Sequence, residues 1–160
     1  SLALERPSLI DELAATFGVQ CVVVGVDSLR DDDGEWRVRQ YTGDAARMRS
    51  STRRTLDWIG EAQRRGAGEI VLNCMGSDGV RLGYDIAQLR AARAVCKVPL
   101  VASGGAGTGE HFRDVFVEVD LDGALAASVF HSGDIAIPEL KRWLHTEGVR
   151  VRPAWMEISQ

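Results

Sequence analysis

The chain has 160 residues, of which 45% are hydrophobic and 26% charged, and its formal net charge is −4. This balance is typical of a globular domain with one substantial core, and it argues against whole-chain disorder. The negative charge argues against a nucleic-acid partner bound by bulk electrostatics, and the apolar runs are too short to span a membrane.

Four short apolar runs alternate with helical patterns along the chain. The runs are Gln20–Asp27, Glu69–Cys74, Pro99–Gly105 and Gly123–Ser128. Because they are continuous rather than alternating, they predict parallel strands buried on both faces. The apolar faces of the predicted helices are Leu9, Ile10, Leu13 and Phe17; Leu56, Ile59 and Ala62; Ile86, Leu89 and Ala92; Phe112, Val115 and Phe116; and Leu140, Trp143 and Leu144.

This alternation predicts an α/β fold of βα units around a parallel sheet. Two architectures fit: an open doubly wound sheet, or part of an eight-stranded βα barrel. A complete barrel needs about 250 residues. A barrel of this length would therefore hold four units, which is half of the full set.

A small β excursion is predicted after the first strand. Asp31–Gly34 is interpreted as a solvated hairpin turn rather than a metal site. Trp36–Tyr41 alternates in polarity, as a strand does, and the polar and basic Thr42–Ser51 segment is a candidate mobile loop.

Small and polar residues follow each predicted strand. Asp27 closes the first strand, Asn73 and the turn 75–79 close the second, Ser103–Thr108 closes the third, and Ala127–Ser128 closes the fourth. Ligands bind at the C-terminal ends of strands in barrels and open α/β sheets. We therefore expect these residues to converge on one site.

The turn Ser103–Thr108, with the sequence SGGAGT, is the clearest local signal. Glycines let the backbone approach an anion and point N–H groups at it, and the following helix adds the positive end of its dipole. Ser128–His131 predicts one short helical turn that can bind the same phosphate. The alternative is a tight turn without a ligand.

Two aspartates are candidates for acid–base chemistry. Asp27 follows a buried strand, and a carboxylate at the rim of a dry pocket suits general acid–base work. Its alternative is a cap or loop anchor. Asp78, in GSDG, is a weaker candidate because it could simply fix a turn.

Neither the cysteines nor the histidines form a catalytic or metal-binding pattern. Cys21, Cys74 and Cys96 form no CxxC pair, so we expect buried free thiols in a reducing cytosol, with no metal and no cofactor. His111 and His145 are expected on helix surfaces. His131 either touches the ligand or caps a helix.

The sequence resembles the cyclase subunit of imidazole glycerol phosphate synthase, from histidine biosynthesis. The matching segments are FGVQCVVVGVD, QYTGD, RRGAGEIVLNCMGSDGVRLGYD, VPLVASGGAGTGEHF, DGALAASVFH and ELKRWL. The resemblance implies the C-terminal half, strands five to eight, of a TIM (βα)8 barrel over residues 1–152. The tail Pro153–Gln160 lies beyond the match.

The resemblance also implies roles for individual residues. The family's reaction is that of a lyase, which uses ammonia to convert the phosphorylated ribulosyl intermediate PRFAR to imidazole glycerol phosphate and AICAR. Asp27 matches one of two catalytic aspartates, and Asp78 matches an auxiliary acid. Glu69 matches a gate for ammonia from a glutaminase subunit, although a surface charge is the alternative. The residues that match one of two phosphate sites are Gly79, Ser103, Gly104, Gly105, Ala127 and Ser128.

The second aspartate and the second phosphate site belong to the other half of such a barrel. This mechanism needs both carboxylates and both ends of the ligand held together. We therefore expect the chain alone to be inactive, and its strand edges to pair with an N-terminal half-barrel or with a second copy. The alternatives are a non-catalytic phosphate-binding half-barrel and a related amidotransferase synthase subunit.

Overall fold

A computed structural model describes residues 1–44 and 46–152, in which six strands form one sheet. The strands are β1 (Val23–Arg30), β2 (Trp36–Gln40), β3 (Arg49–Arg54), β4 (Glu69–Cys74), β5 (Leu100–Ser103) and β6 (Gly123–Leu125). Their order is β3-β2-β1-β4-β5-β6. Strands β1, β4, β5 and β6 are parallel, whereas β2 and β3 pair antiparallel at one edge.

Helices connect the parallel strands, as the alternating pattern predicts. They are α1 (Leu2–Glu5), α2 (Ser8–Phe17), α3 (Thr55–Arg64), α4 (Ile86–Val95), α5 (Gly109–Glu118), α6 (Ser128–His131) and α7 (Ile137–Thr146). The Asp85 carboxylate caps α4 by accepting from the Gln88 backbone N–H at 2.9 Å, and Pro138 lies in the first turn of α7. The predicted parallel βα units are confirmed, and they are consistent with half of a TIM barrel. No helix in the described ranges is both long and apolar enough to cross a bilayer.

The core lies on one side of the sheet. Every second residue of β1, β4 and β5 is buried there against the helices, including Val26, Leu72 and Ala102. The helices contribute Trp58, Ile59, Leu89, Phe112 and Val115 to the same core. Burial of this apolar surface, at about 25 cal/mol per Å², is the main source of stability for the fold.

The prediction that the strands are buried on both faces is wrong for this chain. The residues between the core positions line a second sheet face, on which Val23 is 53% exposed and Leu125 46% exposed. None of the described elements covers this face, because the connecting helices all pack on the other side. We call it the open sheet face.

The first strand begins later and runs further than predicted. Gln20 and Cys21 lie in a short 3₁₀ turn, and β1 extends three residues beyond Asp27. Residues 23–28 pair with β4, and residues 28–30 pair with β2, which prolongs the strand. Asp27 therefore sits within a strand, at the point where its parallel neighbour ends.

The excursion after β1 is a paired hairpin. The predicted strand Trp36–Tyr41 is confirmed as β2 except for Tyr41, which follows the strand. The end of the predicted mobile loop, Arg49–Ser51, belongs to β3. The acidic turn is held by Arg37, which donates to Asp31 at 3.0 Å and to Asp33 at 2.7 and 2.8 Å. The turn is therefore held in place by ion pairs, which its interpretation as a solvated turn does not include.

Helix α2, near the amino terminus, is less buried than its apolar pattern predicts. Of the predicted apolar face of α2, Ile10 is buried, whereas Leu13 and Phe17 are exposed. Cys21 is also exposed, against the expectation of a buried thiol. No described element packs over this end of the chain, so its apolar side chains remain in water.

A buried polar cluster fastens β1 to the helices beside Asp27. Ser28 Oγ and Thr55 Oγ1 are 2.6 Å apart, and the Gln88 side-chain amide donates to Ser28 Oγ. All three side chains are buried. Since buried polar groups are costly without partners, this cluster selects one position for the start of α3 and α4 relative to β1.

Candidate functional site

A cavity of about 230 Å³ opens where β4, β5 and β6 end. Its lining residues are Asn73, Asp78, Gly79, Arg81, Ser103, Gly104, Gly105, Ala106, Leu125, Ala126, Ala127 and Ser128. Eight predicted site residues are thus brought together: Asn73, Asp78, Gly79, Ser103, Gly104, Gly105, Ala127 and Ser128. Parallel strand ends meet at one edge of the sheet, which is why residues up to 55 positions apart share this cavity.

The glycine-rich turn packs tightly against the loop after β4. Gly104 and Gly105 have φ of +90° and +111°, a region that side chains rarely adopt. A Cβ at Gly105 would lie 2.0 Å from the Gly83 carbonyl oxygen, and the Gly83 N–H donates to the Gly105 carbonyl at 2.8 Å. The glycines are therefore required by backbone shape as well as by any anion.

Only part of the SGGAGT turn is available to a ligand. The backbone N–H groups of Gly107 and Thr108 donate to His111 Nδ1 at 3.0 and 3.3 Å. Because these two donors are used inside the protein, an anion can bind only to groups at the start of the turn and to groups at the beginning of α6. His111, expected on a helix surface, is instead a half-buried cap of α5.

The other two histidines lie away from the cavity. His131 ends α6 and is exposed, and it is absent from the cavity lining. Neither of its predicted roles, ligand contact or helix cap, has support in the described geometry. His145 lies in the last turn of α7 and is exposed, as expected.

Asp27 is held next to the cavity by two donors. The Thr42 hydroxyl donates to Asp27 Oδ2 at 2.6 Å, and the Asn73 side-chain amide donates to Asp27 Oδ1 at 3.0 Å. Asn73 lines the cavity, and its own Oδ1 is buried without a protein partner. Asn73 therefore links the carboxylate on β1 to the glycine-rich turn and leaves one acceptor unsatisfied there.

The loop after β4 carries Asp78 into the cavity lining. The backbone N–H groups of Ser77 and Asp78 donate to the Cys74 carbonyl at 3.0 and 3.1 Å, and Gly79 continues the turn with φ of +75°. Asp78 thus occupies a tight turn and also faces the cavity. Both interpretations of this residue fit its position.

Two polar residues of this site, Thr42 and Arg81, are absent from the predicted set. Thr42 begins the segment that we predict to be a mobile loop, yet its hydroxyl donates directly to Asp27. Arg81 lines the cavity although its sequence carries no recognised phosphate motif. The sequence feature that could have identified Arg81 is a basic side chain just after the GSDG turn, in the segment GVRLG.

The buried cysteines are poor nucleophiles. Burial raises the pKa of Cys74 and that of Cys96, so neither forms a thiolate readily near neutral pH. In the described part of the chain, no group of three or more His, Cys, Asp or Glu side chains is placed to hold a metal ion.

Glu69 lies at the opposite end of the sheet from the cavity. It begins β4, pairs with Val23 and is half-buried on the open sheet face. This position agrees with a charged group at the far end of a barrel interior. Its predicted role as an ammonia gate stays a prediction.

The chain is similar to known proteins of histidine biosynthesis. The sequence profile of the family described as "Histidine biosynthesis protein" matches residues 1–136. The imidazole glycerol phosphate synthase subunit HisF of Xanthomonas euvesicatoria pv. vesicatoria is 68% identical over 152 residues, which is 95% of this chain and 59% of that protein. The protein of the same name from Stenotrophomonas maltophilia is 66% identical over 155 residues, 97% of this chain and 60% of that protein. The chain thus spans about three fifths of the length of these relatives.

Proposed function

Because the chain belongs to the histidine biosynthesis protein family, we propose that it supplies the C-terminal half-barrel of an imidazole glycerol phosphate synthase cyclase subunit. The observation that carries this proposal is the hydrogen bond from Asn73 to Asp27. It joins a carboxylate suited to proton transfer to a glycine-rich cavity suited to a phosphate. The relatives that bear the synthase name are similar over nearly the whole chain.

The cavity takes one phosphate of the two-ended substrate PRFAR. Backbone N–H groups at the start of the glycine-rich turn and near Ser128 face the anion, while the Ser103 and Ser128 hydroxyls supply further donors. The rest of the substrate then extends across the C-terminal ends of the strands, towards Asp27. Binding the phosphate at a fixed position holds the reacting atoms of the substrate close to the carboxylate, which raises the rate.

Asp27 moves protons during the addition of ammonia and ring closure. Its two oxygens each accept one hydrogen bond, from Thr42 and from Asn73, so the carboxylate is oriented before substrate arrives. Asp78 lies across the cavity as an auxiliary acid. Proton transfer by a positioned carboxylate contributes about 10²–10⁴-fold to rate. In this proposal the enzyme is a lyase of the cytoplasm.

The other half of the barrel pairs with the strand edges of this chain and so closes over the open sheet face. It brings the second catalytic aspartate and the second phosphate site, and the chain is inactive without it. Closing the sheet also covers apolar residues such as Val23 and Leu125, which are exposed here. Glu69, at the far end, gates ammonia that a glutaminase subunit releases.

Reconstitution tests this function. The chain is co-expressed with the N-terminal half-barrel of the Xanthomonas euvesicatoria relative, and ammonia-dependent conversion of PRFAR is measured. We expect turnover from the complex and none from either half alone. A stable complex that binds phosphate but turns over no PRFAR would contradict the cyclase proposal and favour a phosphate-binding half-barrel.

A further inference from the structure

Of the described residues that line the cavity, Arg81 is the one with a basic side chain. Asp78 lines the same cavity and carries the opposite charge. A phosphate dianion next to a carboxylate is disfavoured unless a cation is close, because like charges a few ångströms apart repel strongly in a partly dry site. Glycine N–H groups supply only partial charges. The cavity therefore needs a full positive charge, and Arg81 is placed to give it.

The backbone at Arg81 lies directly against the glycine-rich turn. A Cβ at Gly107 would be 2.2 Å from the Arg81 carbonyl oxygen. Arg81 itself has φ of +59°, the left-handed region that favours glycine. A long charged residue held in this conformation costs more than a glycine would, so its side chain is expected to have a use.

The guanidinium is tethered loosely at the mouth of the cavity. Nη2 donates to Asp134 Oδ2 at 2.8 Å and to Ser132 Oγ at 3.3 Å, and Nε donates to Ser128 Oγ at 3.4 Å. The two contacts to serine are long for hydrogen bonds. None of the hydrogen bonds that the described residues make to this side chain uses Nη1.

We propose that Arg81 is a phosphate-binding residue, whose guanidinium leaves Asp134 and pairs with the phosphate held by the glycine-rich turn. This inference rests on the phosphate site of the proposed function. The planar fork of Arg matches two phosphate oxygens at once, which a lysine cannot do. Because Nε donates to Ser128 Oγ, the Ser128 hydroxyl hydrogen is free to point at the same anion.

Exchanging Asp134 for phosphate as the partner of Arg81 sacrifices little binding free energy. Arg81 and Asp134 are exposed by 41% and 51%, and exposed ion pairs contribute little. The Ser132 hydroxyl, followed by Arg81, holds the pKa of Asp134 below its usual range. Asp134 is about half exposed, so water can replace the guanidinium as its partner once Arg81 has moved. A phosphate, with more charge and a closer fit, competes effectively for the fork.

The test uses the 160-residue chain and inorganic phosphate as the probe. Calorimetric titrations compare the wild-type chain with Arg81→Met, Arg81→Lys and Asp134→Asn. We expect Arg81→Met to weaken phosphate binding by about tenfold and Arg81→Lys by less, since lysine keeps the charge and loses the fork. Asp134→Asn should instead strengthen binding about twofold, because the competing carboxylate is gone.

The two sites of substitution separate a binding role from a structural one. If the ion pair only ties the loop to α6, Arg81→Met and Asp134→Asn lower affinity together, and this result would overturn the inference. Arg113→Met, which removes an ion-paired arginine on α5 outside the cavity lining, should leave phosphate affinity unchanged. Thermal unfolding of every variant checks that the fold is kept.

The outcome also separates this inference from the proposed function. Phosphate binding by the wild-type chain that Arg81→Met leaves unchanged overturns the role of Arg81 alone. No phosphate binding by the wild-type chain overturns the phosphate site, and the role of Arg81 with it.

Discussion

The Asn73 side-chain amide donates to Asp27 Oδ1 at 3.0 Å and thereby joins the carboxylate of β1 to the cavity at the end of β4. The two residues are register partners on adjacent parallel strands, so the backbone pairing itself sets their approach. Thr42 fixes the other carboxylate oxygen from the hairpin. The candidate acid–base group is thus oriented from two separate elements.

Asp27→Asn should abolish catalysis while leaving phosphate binding intact. In the reconstituted complex we expect the rate of ammonia-dependent turnover to fall by about 100-fold or more, because the amide cannot exchange a proton. Phosphate affinity, measured by titration, should stay within about twofold, since Asp27 is outside the cavity lining. Asp32→Asn, at the exposed hairpin turn, is the matched control. Equal turnover by the two variants would remove Asp27 from the mechanism.

Gly104→Ala should weaken both the fold and the phosphate site. A Cβ there would lie 2.9 Å from Asn73 Oδ1 and from the Cys74 carbonyl oxygen, at φ of +90°. We expect a loss of about 2–3 kcal/mol in urea unfolding and a large drop in phosphate affinity. Gly133→Ala shares the positive φ but meets no atom within 4 Å, so it should cost only about 1 kcal/mol. Unchanged phosphate affinity in Gly104→Ala would count against the anion site.

The open sheet face should drive association of the chain by itself. We expect light scattering to show dimers or larger species, which the N-terminal half-barrel converts to one-to-one complexes. Val23→Lys, on the open sheet face, should reduce self-association because burying the charge is costly. Val117→Lys, on α5, should not, although Val117 is 70% exposed compared with 53% for Val23. A monomeric wild-type chain would contradict this use of the face.

The acidic turn should make the hairpin sensitive to low pH. Hydrogen bonds from Arg37 lower the pKa of Asp33 from 3.8 to about 2. A carboxyl whose pKa is lower in the folded state than in the unfolded state stabilises the fold when the pH is above its unfolded-state pKa. This contribution disappears as the pH falls through its folded-state pKa. We therefore expect part of the stability to be lost between about pH 4 and pH 2.

Arg37→Gln should reduce the loss of stability between about pH 4 and pH 2, because Asp33 then lacks the arginine that lowers its pKa. Arg142→Gln, an equal charge change on the exposed side of α7, is the control. Urea midpoints measured across this pH range provide the comparison. A steep acid loss that persists unchanged in Arg37→Gln would show that other carboxylates cause it.

Local patterns in the sequence were sufficient for the framework and for most of the cavity. Four apolar runs separated by helical faces identify the parallel βα units, and small or polar residues at strand ends identify the edge where a ligand binds. Gly104 and Ser128 are expected at one site because parallel strands bring their carboxyl ends together. These inferences need only local patterns and the general rule that parallel strands end at one edge of the sheet.

Contacts between distant segments were decided only by the tertiary structure. The sequence cannot show that Thr42 reaches Asp27, that Arg81 lies over the cavity, or that His111 takes two donors from the glycine-rich turn, because each depends on how loops fold over strand ends. Continuous apolar runs likewise predict two covered faces, whereas helices on one side leave the other open. What the sequence determined was which residues can do the chemistry, and what the fold decided was which partners each of them has.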